Sequence, residues 1–347
     1  MWKRSNRQPN QLSILMIQLH PSTFVRRDEE MLSSFATVKV FQFRHQRGFS
    51  IFSELIRQKW FLLRNIWSSH IIYIWFADFH AVLPALFARL TGRKCVVVIG
   101  GVDAAYLPQY RYGTKSRLLG RLSLWLTVRM AHLLLPVSQF TLNDISRNVS
   151  SRLVRKSKVI HNCYSPAQIV SPALGNRHLV LSIAMASSES TLYIKGVDLF
   201  LNAAALMPDL NFMVVGLSGG AMNLAKRIAP PNVVLSEPIS FEKLKELYAQ
   251  TRVICQFSRQ ESFGIALLEG LAAGCVPVIA NCCGPAEVFS GADVPAIDEF
   301  ETAVAAEAIK SAYRMEAARL EEIQQMVLPR FDCALRSNRL QEILCQL

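Results

Sequence analysis

FSRQESFGIALLEGLAAGCVPVIANCCGPAEV, residues 257–288, holds the same unit twice: an apolar run, a turn rich in acid and glycine, and a helix-forming segment. A strand ending at Phe257 or Ser258 feeds a helix that starts near Ser262 or Phe263. AAGCVPVIA then reads as helix, glycine stop and second strand, and CCGPAE as a second strand-to-helix turn. The apolar runs are short and nearly unbroken, as strands covered on both faces are. Repeated strand–turn–helix units of this kind build a parallel sheet.

The same alternation extends in both directions. LSILMIQL, VKVFQFR, IIYIWFA, CVVVIG and AHLLLPVS precede the stretch in a first half, and HLVLSIAM, NFMVVGL and NVVLSE precede it in a second. Between the halves, YSPAQIVSPALGNR has two Ser-Pro steps and no periodicity. This predicts two α/β domains, 1–163 and 178–333, with a linker at 164–177; the helix 334–347 is expected to pack on the first domain. Two open α/β domains in tandem place a ligand at the carboxyl ends of their strands, in the cleft between them.

Composition narrows the classes. With 347 residues, 51% of them hydrophobic and 18% charged, the chain has material for two cores and is neither a disordered tail nor a disulfide-stapled module. Residues 1–170 carry 24 Lys/Arg against 7 Asp/Glu, and 171–347 carry 14 against 19, so the first half is formally +17 and the second −5. All five tryptophans lie in the basic half. Such a half calls for an anionic partner. The eight cysteines show no CxxC or finger spacing, which reads as reduced thiols in a cytoplasmic protein. LSILMIQL reads as a first strand rather than the core of a leader, and Asp78, His80 and Pro84 inside residues 71–88 argue for strand then helix rather than a membrane span.

Glu261 sits at the strand-to-helix turn, and Glu269 follows eight residues later, which brings both carboxylates toward one side. A pair of acceptor-only carboxylates suits neighbouring sugar hydroxyls. On the residues alone, a helix cap and a solvated surface acid explain them equally well. Gly284 lets backbone approach a ligand, and Glu287 complements the next helix dipole. Lys195 precedes a glycine at a helix start, where a point charge reaches a phosphate.

ESFGIALLE, the AAGCVPVIA strand and GPAEV together resemble the signature of the retaining glycosyltransferases of family 4. YIKGVDLFLNAAALMPDLNFMVVG and KVIHNCYSP resemble that family's Lys-Gly helix and inter-domain hinge. The resemblance covers most of the chain and implies the GT-B fold, two Rossmann-like α/β/α domains facing across a cleft. It implies a nucleotide diphosphate sugar as donor substrate, no bound cofactor and no metal. By matching position, Glu269 would hold the ribose hydroxyls, Glu261 the transferred sugar and Lys195 the diphosphate. Phe263, Gly264 and Ile265 would add backbone contacts in that pocket.

The sequence departs from the family in three places. No arginine precedes Lys195 in SIAMASSESTLYIKG, so either another cation substitutes, with Arg259 the candidate, or diphosphate binding is weaker. LHPSTFVRRDEE replaces a Gly-Gly loop, and VVVIGGVDA carries Asp103 where relatives place a histidine. Asp103 and His80 are therefore the expected acceptor-side groups, with Asp78 and His20 behind them; a turn or helix cap explains Asp103 equally well, and packing on the next helix explains His80. The sequence has no DxD, HxH or HExxH.

GFSIFSELIRQKWFLLRNIW, residues 48–67, mixes aromatics and leucines with Arg57, Lys59 and Arg64, a composition suited to a helix lying on an anionic membrane and equally to a core helix with a few exposed basic residues. A saccharide or lipid-linked saccharide acceptor at the inner membrane face is expected, and no nucleic acid. The competing readings are a scaffold of the same fold without chemistry and a sugar-nucleotide epimerase.

Overall fold

The computed structural model describes residues 12–19, 21–44, 50–166, 169 and 177–347. Most of the expected linker, together with His20, lies outside the described residues. Among the described residues the first sheet contains β1 (Leu12–Gln18), β2 (Ala36–Gln42), β3 (Ile71–Trp75), β4 (Lys94–Ile99) and β5 (Leu133–Pro136), in the order β2-β1-β3-β4-β5. The second contains β6 (Leu179–Ala186), β7 (Asn211–Leu217), β8 (Val233–Ser236), β9 (Thr251–Gln256), β10 (Val276–Ala280) and β11 (Ala296–Ile297), ordered β11-β10-β9-β6-β7-β8. Every pairing is parallel. All ten apolar runs form strands. β11 has only two residues and carries no run to announce it.

The pleat divides the first domain's core in two. Leu15, Ile17, Ile72, Ile74, Val97 and Ile99 face one side, where the helices Ser50–Asn65, Phe79–Leu90, Leu118–Met130 and Gln139–Asn148 cover them. Ile14, Met16, Ile71, Tyr73, Val96 and Val98 face the other. That second side is covered by the helix Thr23–Phe35 and by Cys333–Cys345, whose Leu340, Ile343 and Leu344 are buried there. A fully buried aliphatic side chain contributes about 1.5–3 kcal/mol, so three of them hold this helix far more firmly than a surface ion pair would.

Polar contacts fix its register. Arg336 grips Asp28 through two hydrogen bonds of 2.7 and 2.9 Å, the Tyr73 hydroxyl donates to Asp28 at 2.6 Å, and the Arg336 guanidinium also reaches the carbonyls of Ile160 and His161. Where the chain crosses back, Tyr164 N–H donates to Phe331 and Cys333 N–H to Tyr164. Beside this crossing a disulfide joins Cys163 and Cys333, with Cα atoms 5.0 Å apart. The reading of eight reduced cysteines is corrected at these two: no short spacing marks a pair separated by 170 positions.

No helix among the described residues is long and apolar enough to cross a membrane. Residues 71–88 divide into β3 and the helix Phe79–Leu90, with Asp78 as its N-cap.

Candidate active site

The second sheet delivers the central pair. After β6, Ser188 caps the helix Glu189–Ile194 by accepting from Thr191 N–H, and Lys195 ends it. Gly196 then turns with φ +68°, and a Cβ there would lie 1.8 Å from the Phe257 carbonyl at the end of β9. This close approach sets Lys195 beside the β9 turn. Its ammonium donates to Glu261 Oε2 at 2.8 Å, Gln256 Nε2 donates to the same oxygen at 3.1 Å, and Ser262 N–H donates to Oε1 at 3.0 Å. Burial works against both charges, and each partner overrides it. Lys195 is held above the usual lysine value and Glu261 below the usual carboxylate value.

The helix beyond opens at Ile265, later than the sequence suggested, because Gly264 at φ +89° leaves the helical region. Glu261 is therefore a loop residue, and only Glu269 belongs to the helix Ile265–Ala272. Glu269 is buried and takes Arg27 of the first domain at 2.7 Å, with the Tyr248 hydroxyl at 3.4 Å. Burial lifts its carboxyl above the ordinary value, and Arg27 offsets part of the rise. The two carboxylates thus pair with different cations, one on each side of the cleft.

Several expected roles need correction. In this structure Arg259 is engaged by both oxygens of Asp198, at 2.9 and 3.0 Å, and by the Tyr193 carbonyl. Gly284 packs on protein backbone rather than on ligand space, since a Cβ there would fall 2.3 Å from the Ser262 carbonyl. For Phe263 no correction arises: its ring is buried against His161 and Phe331, and a backbone contact is all that was expected of it. His80 is fully buried, with Nε2 2.9 Å from the Trp75 carbonyl, and its ring does not reach the cleft.

Asp103 is buried and accepts from the amides of Ala77 and Gly101 at 3.0 and 2.8 Å, an anchor for the loop after β4. Burial pushes its carboxyl up to about 6, against those amides. Asp78 caps its helix and pairs with Arg117. None of the three offers a free acceptor-side base here.

The loop after β4 nevertheless reaches the site. A Cβ on Gly101, at φ +126°, would lie 2.6 Å from Ser262 Cβ, so only glycine lets the two domains approach there. Farther along the loop, Tyr112 is close enough that Lys195 and Glu261 both act on its phenol, which burial raises. Nothing in the sequence distinguishes Tyr112 within LPQYRYGTK, so its nearness to the pair was not expected.

Glu287 was also misread. Its carboxylate accepts from the amides of Gln139 and Phe140 at 2.8 and 2.9 Å, the start of a first-domain helix, and meets His161 Nε2 at 2.7 Å. It complements a helix dipole, but that of the other domain. Burial raises its proton affinity, while His161 and the two amides outweigh that and lower it overall. A lowered carboxyl stabilises the fold fully above the unfolded value of roughly 4.3, and the contribution is lost as pH falls through the folded value. Glu287→Gln is expected to melt below the wild-type protein at neutral pH, with the gap closing below about pH 4. Melting curves across that range check it, and a gap independent of pH would rule out the clamp. Among the described residues, no group of three or more His, Cys, Asp or Glu is placed to hold a metal ion.

Residues 183–325, within the second domain, match the family model described as Glycosyl transferases group 1. None of the curated proteins matches the chain. Among solved structures, Anabaena HepE in complex with UDP-glucose is similar at TM-score 0.75 and 17% identity, over 97% of this chain and 100% of that one. Sucrose-phosphate synthase from Thermosynechococcus elongatus is similar at 0.74 and 14%, over 97% and 99%. A trehalose-6-phosphate synthase, studied with bisubstrate glycomimetics for glycosyl transfer with retention, is similar at 0.70 and 13%, over 97% and 99%. The fold is that of the GT-B glycosyltransferases.

Proposed function

We propose that the protein is a retaining, metal-independent glycosyltransferase. It moves a sugar from a nucleotide diphosphate sugar to a hydroxyl of a saccharide or lipid-linked saccharide at the cytoplasmic face of a membrane. The observation that carries this reading is the Lys195–Glu261 pair at the mouth of the helix Ile265–Ala272, inside the segment that matches the glycosyltransferase family model. HepE, similar in fold, is solved with UDP-glucose, and trehalose-6-phosphate synthase lends the retaining mode.

In this reaction the bond from the sugar's anomeric carbon to the diphosphate breaks, and its electron pair leaves with the phosphate. The acceptor oxygen bonds to that carbon on the same face, and its proton passes to a diphosphate oxygen. No side chain becomes a covalent nucleophile. Lys195 takes the charge growing on the leaving group, which preorganised cations and helix N–H groups do efficiently in a partly dry site. Glu261 releases one Lys195 hydrogen bond to the phosphate and accepts from the sugar instead. Glu269 turns from Arg27 to the ribose.

A panel of UDP-, GDP- and ADP-sugars tests the reading. Saturable binding and turnover of one donor, unchanged by a metal chelator, is expected, with the anomeric configuration of the product kept by NMR. Binding without turnover on any acceptor would favour the scaffold reading, for which the engagement of Arg259 by Asp198 speaks. Inversion or loss with chelator would overturn the mechanism.

A further inference from the structure

The first domain carries an outer face that the transfer reaction does not use. On the helix Ser50–Asn65, Ile56, Trp60 and Leu63 point into solvent at successive turns, and Trp67 just beyond is 70% exposed. The neighbouring helix Phe79–Leu90 ends in Leu90, 74% exposed. Next to it, Leu118–Met130 presents Leu118 and Leu119, 82% and 81% exposed, followed by Leu122 and Trp125. The three helices pack side by side on one face of the first sheet. Exposed leucines and tryptophans repeated along three adjacent helices suit an interaction surface.

Charge selects the occupant. Residues 50–143 hold eleven Lys/Arg and three acids. The acids are spent internally: Glu54 is buried on Arg57, Asp78 pairs with Arg117, and Asp103 anchors its loop. The cations Lys59, Arg64, Arg89, Arg121 and Arg129 are exposed among the leucines and tryptophans. Between β2 and the helix Ser50–Asn65, Arg44, Arg57, Trp60 and Arg64 line a groove of about 730 Å³. A second copy of the chain would bring two basic faces together and repel. Amphipathic residues with arginine at their edges, by contrast, match the boundary between lipid headgroups and acyl chains.

We propose that this face docks on a bilayer bearing anionic phospholipid, through the leucines and tryptophans of the three helices and the arginines around them. The surface names the partner of the membrane-side reading above and does not depend on the donor chemistry. Leu118 and Leu119 directly follow the loop that carries Gly101 and Tyr112 to the cleft, and the turn Pro108–Tyr110 of that loop touches the helix Glu189–Ile194 of the second domain. Docking therefore sets the lipid surface at the mouth of the cleft, where an acceptor anchored in the bilayer meets the donor.

Flotation of the full chain with vesicles tests this. Binding is expected to vesicles of phosphatidylcholine with phosphatidylglycerol and not to phosphatidylcholine alone, weakening with salt. Leu118→Ser with Leu119→Ser is expected to weaken partition roughly ten-fold or more. Lys59→Gln with Arg121→Gln is expected to weaken it roughly 25-fold, about five-fold for each charge. All four side chains are exposed, so melting temperatures should hold. Equal binding to both vesicle types, no binding to either, or variants that float like wild type would overturn the proposal. So would a dimer, seen by sedimentation, that the leucine variants break. Donor binding measured on the same preparations separates the two readings: its loss with flotation intact rejects only the transferase, and the reverse rejects only the docking face.

Discussion

Lys195→Ala is expected to lower kcat/KM for the donor by roughly 10²–10³-fold, the usual cost of removing one preorganised group that stabilises charge in a transition state. Lys195 is placed by a capped helix, a left-handed glycine and the end of β9, so its ammonium needs little reorganisation when charge develops. Its loss also strands Glu261, whose low proton affinity rests on Lys195. Without the ammonium, burial dominates and the carboxyl titrates higher, so the acid limb of the pH–rate profile should move to higher pH. Lys195→Arg is expected to recover only part of the activity, since a planar fork does not reproduce a point charge on a flexible stem. Turnover of the preferred donor from pH 5 to 9, beside melting curves, is the measurement. An unchanged kcat/KM in a folded Lys195→Ala protein would remove Lys195 from the reaction.

The largest effect on stability is expected from Arg336→Ala, about 3–5 kcal/mol, because it leaves Asp28 buried with only the Tyr73 hydroxyl for support. Two carbonyls at the domain crossing lose their donor as well. Replacing both charges by apolar residues of similar volume, Asp28→Leu with Arg336→Met, is expected to cost much less than Arg336→Ala, since no uncompensated charge remains. Denaturant unfolding of the three proteins decides it. A double variant as unstable as the single one would mean that shape, and not charge, governs the crossing.

What the sequence disclosed follows from how local each signal is. Ten strands were legible because strands buried on both faces are written as unbroken apolar runs, each within a window of a few residues. Lys195 and Glu261 were legible because each ends a strand–turn unit of its own. Their pairing was not, as nothing in the chain links positions 66 apart. Distance also hid the Arg27–Glu269 contact and the Cys163–Cys333 bridge. Asp103 and His80 were located along the chain, but their orientation stayed open between cleft and cap or core, and the structure buries both. At a strand's end, one residue of shift decides whether a side chain faces the cleft or the core. Glu287 shows the same limit from the other side: its own helix explains an acid in the first turn so well that a second helix, from the other domain, was not sought.

The helix that closes the first domain is encoded at residues 333–345, after the whole of the second domain. On a ribosome adding roughly 5–20 residues per second, the strands of the first sheet emerge about 10–40 seconds before Leu340, Ile343 and Leu344 can cover them. During that interval one face of the nascent sheet, with Met16, Tyr73 and Val98 on it, lacks part of its cover, and Asp28 waits for its arginine. The second domain is complete before the first one is. Synthesis of this chain thus has a window of exposure in which the partly covered sheet face is open to aggregation.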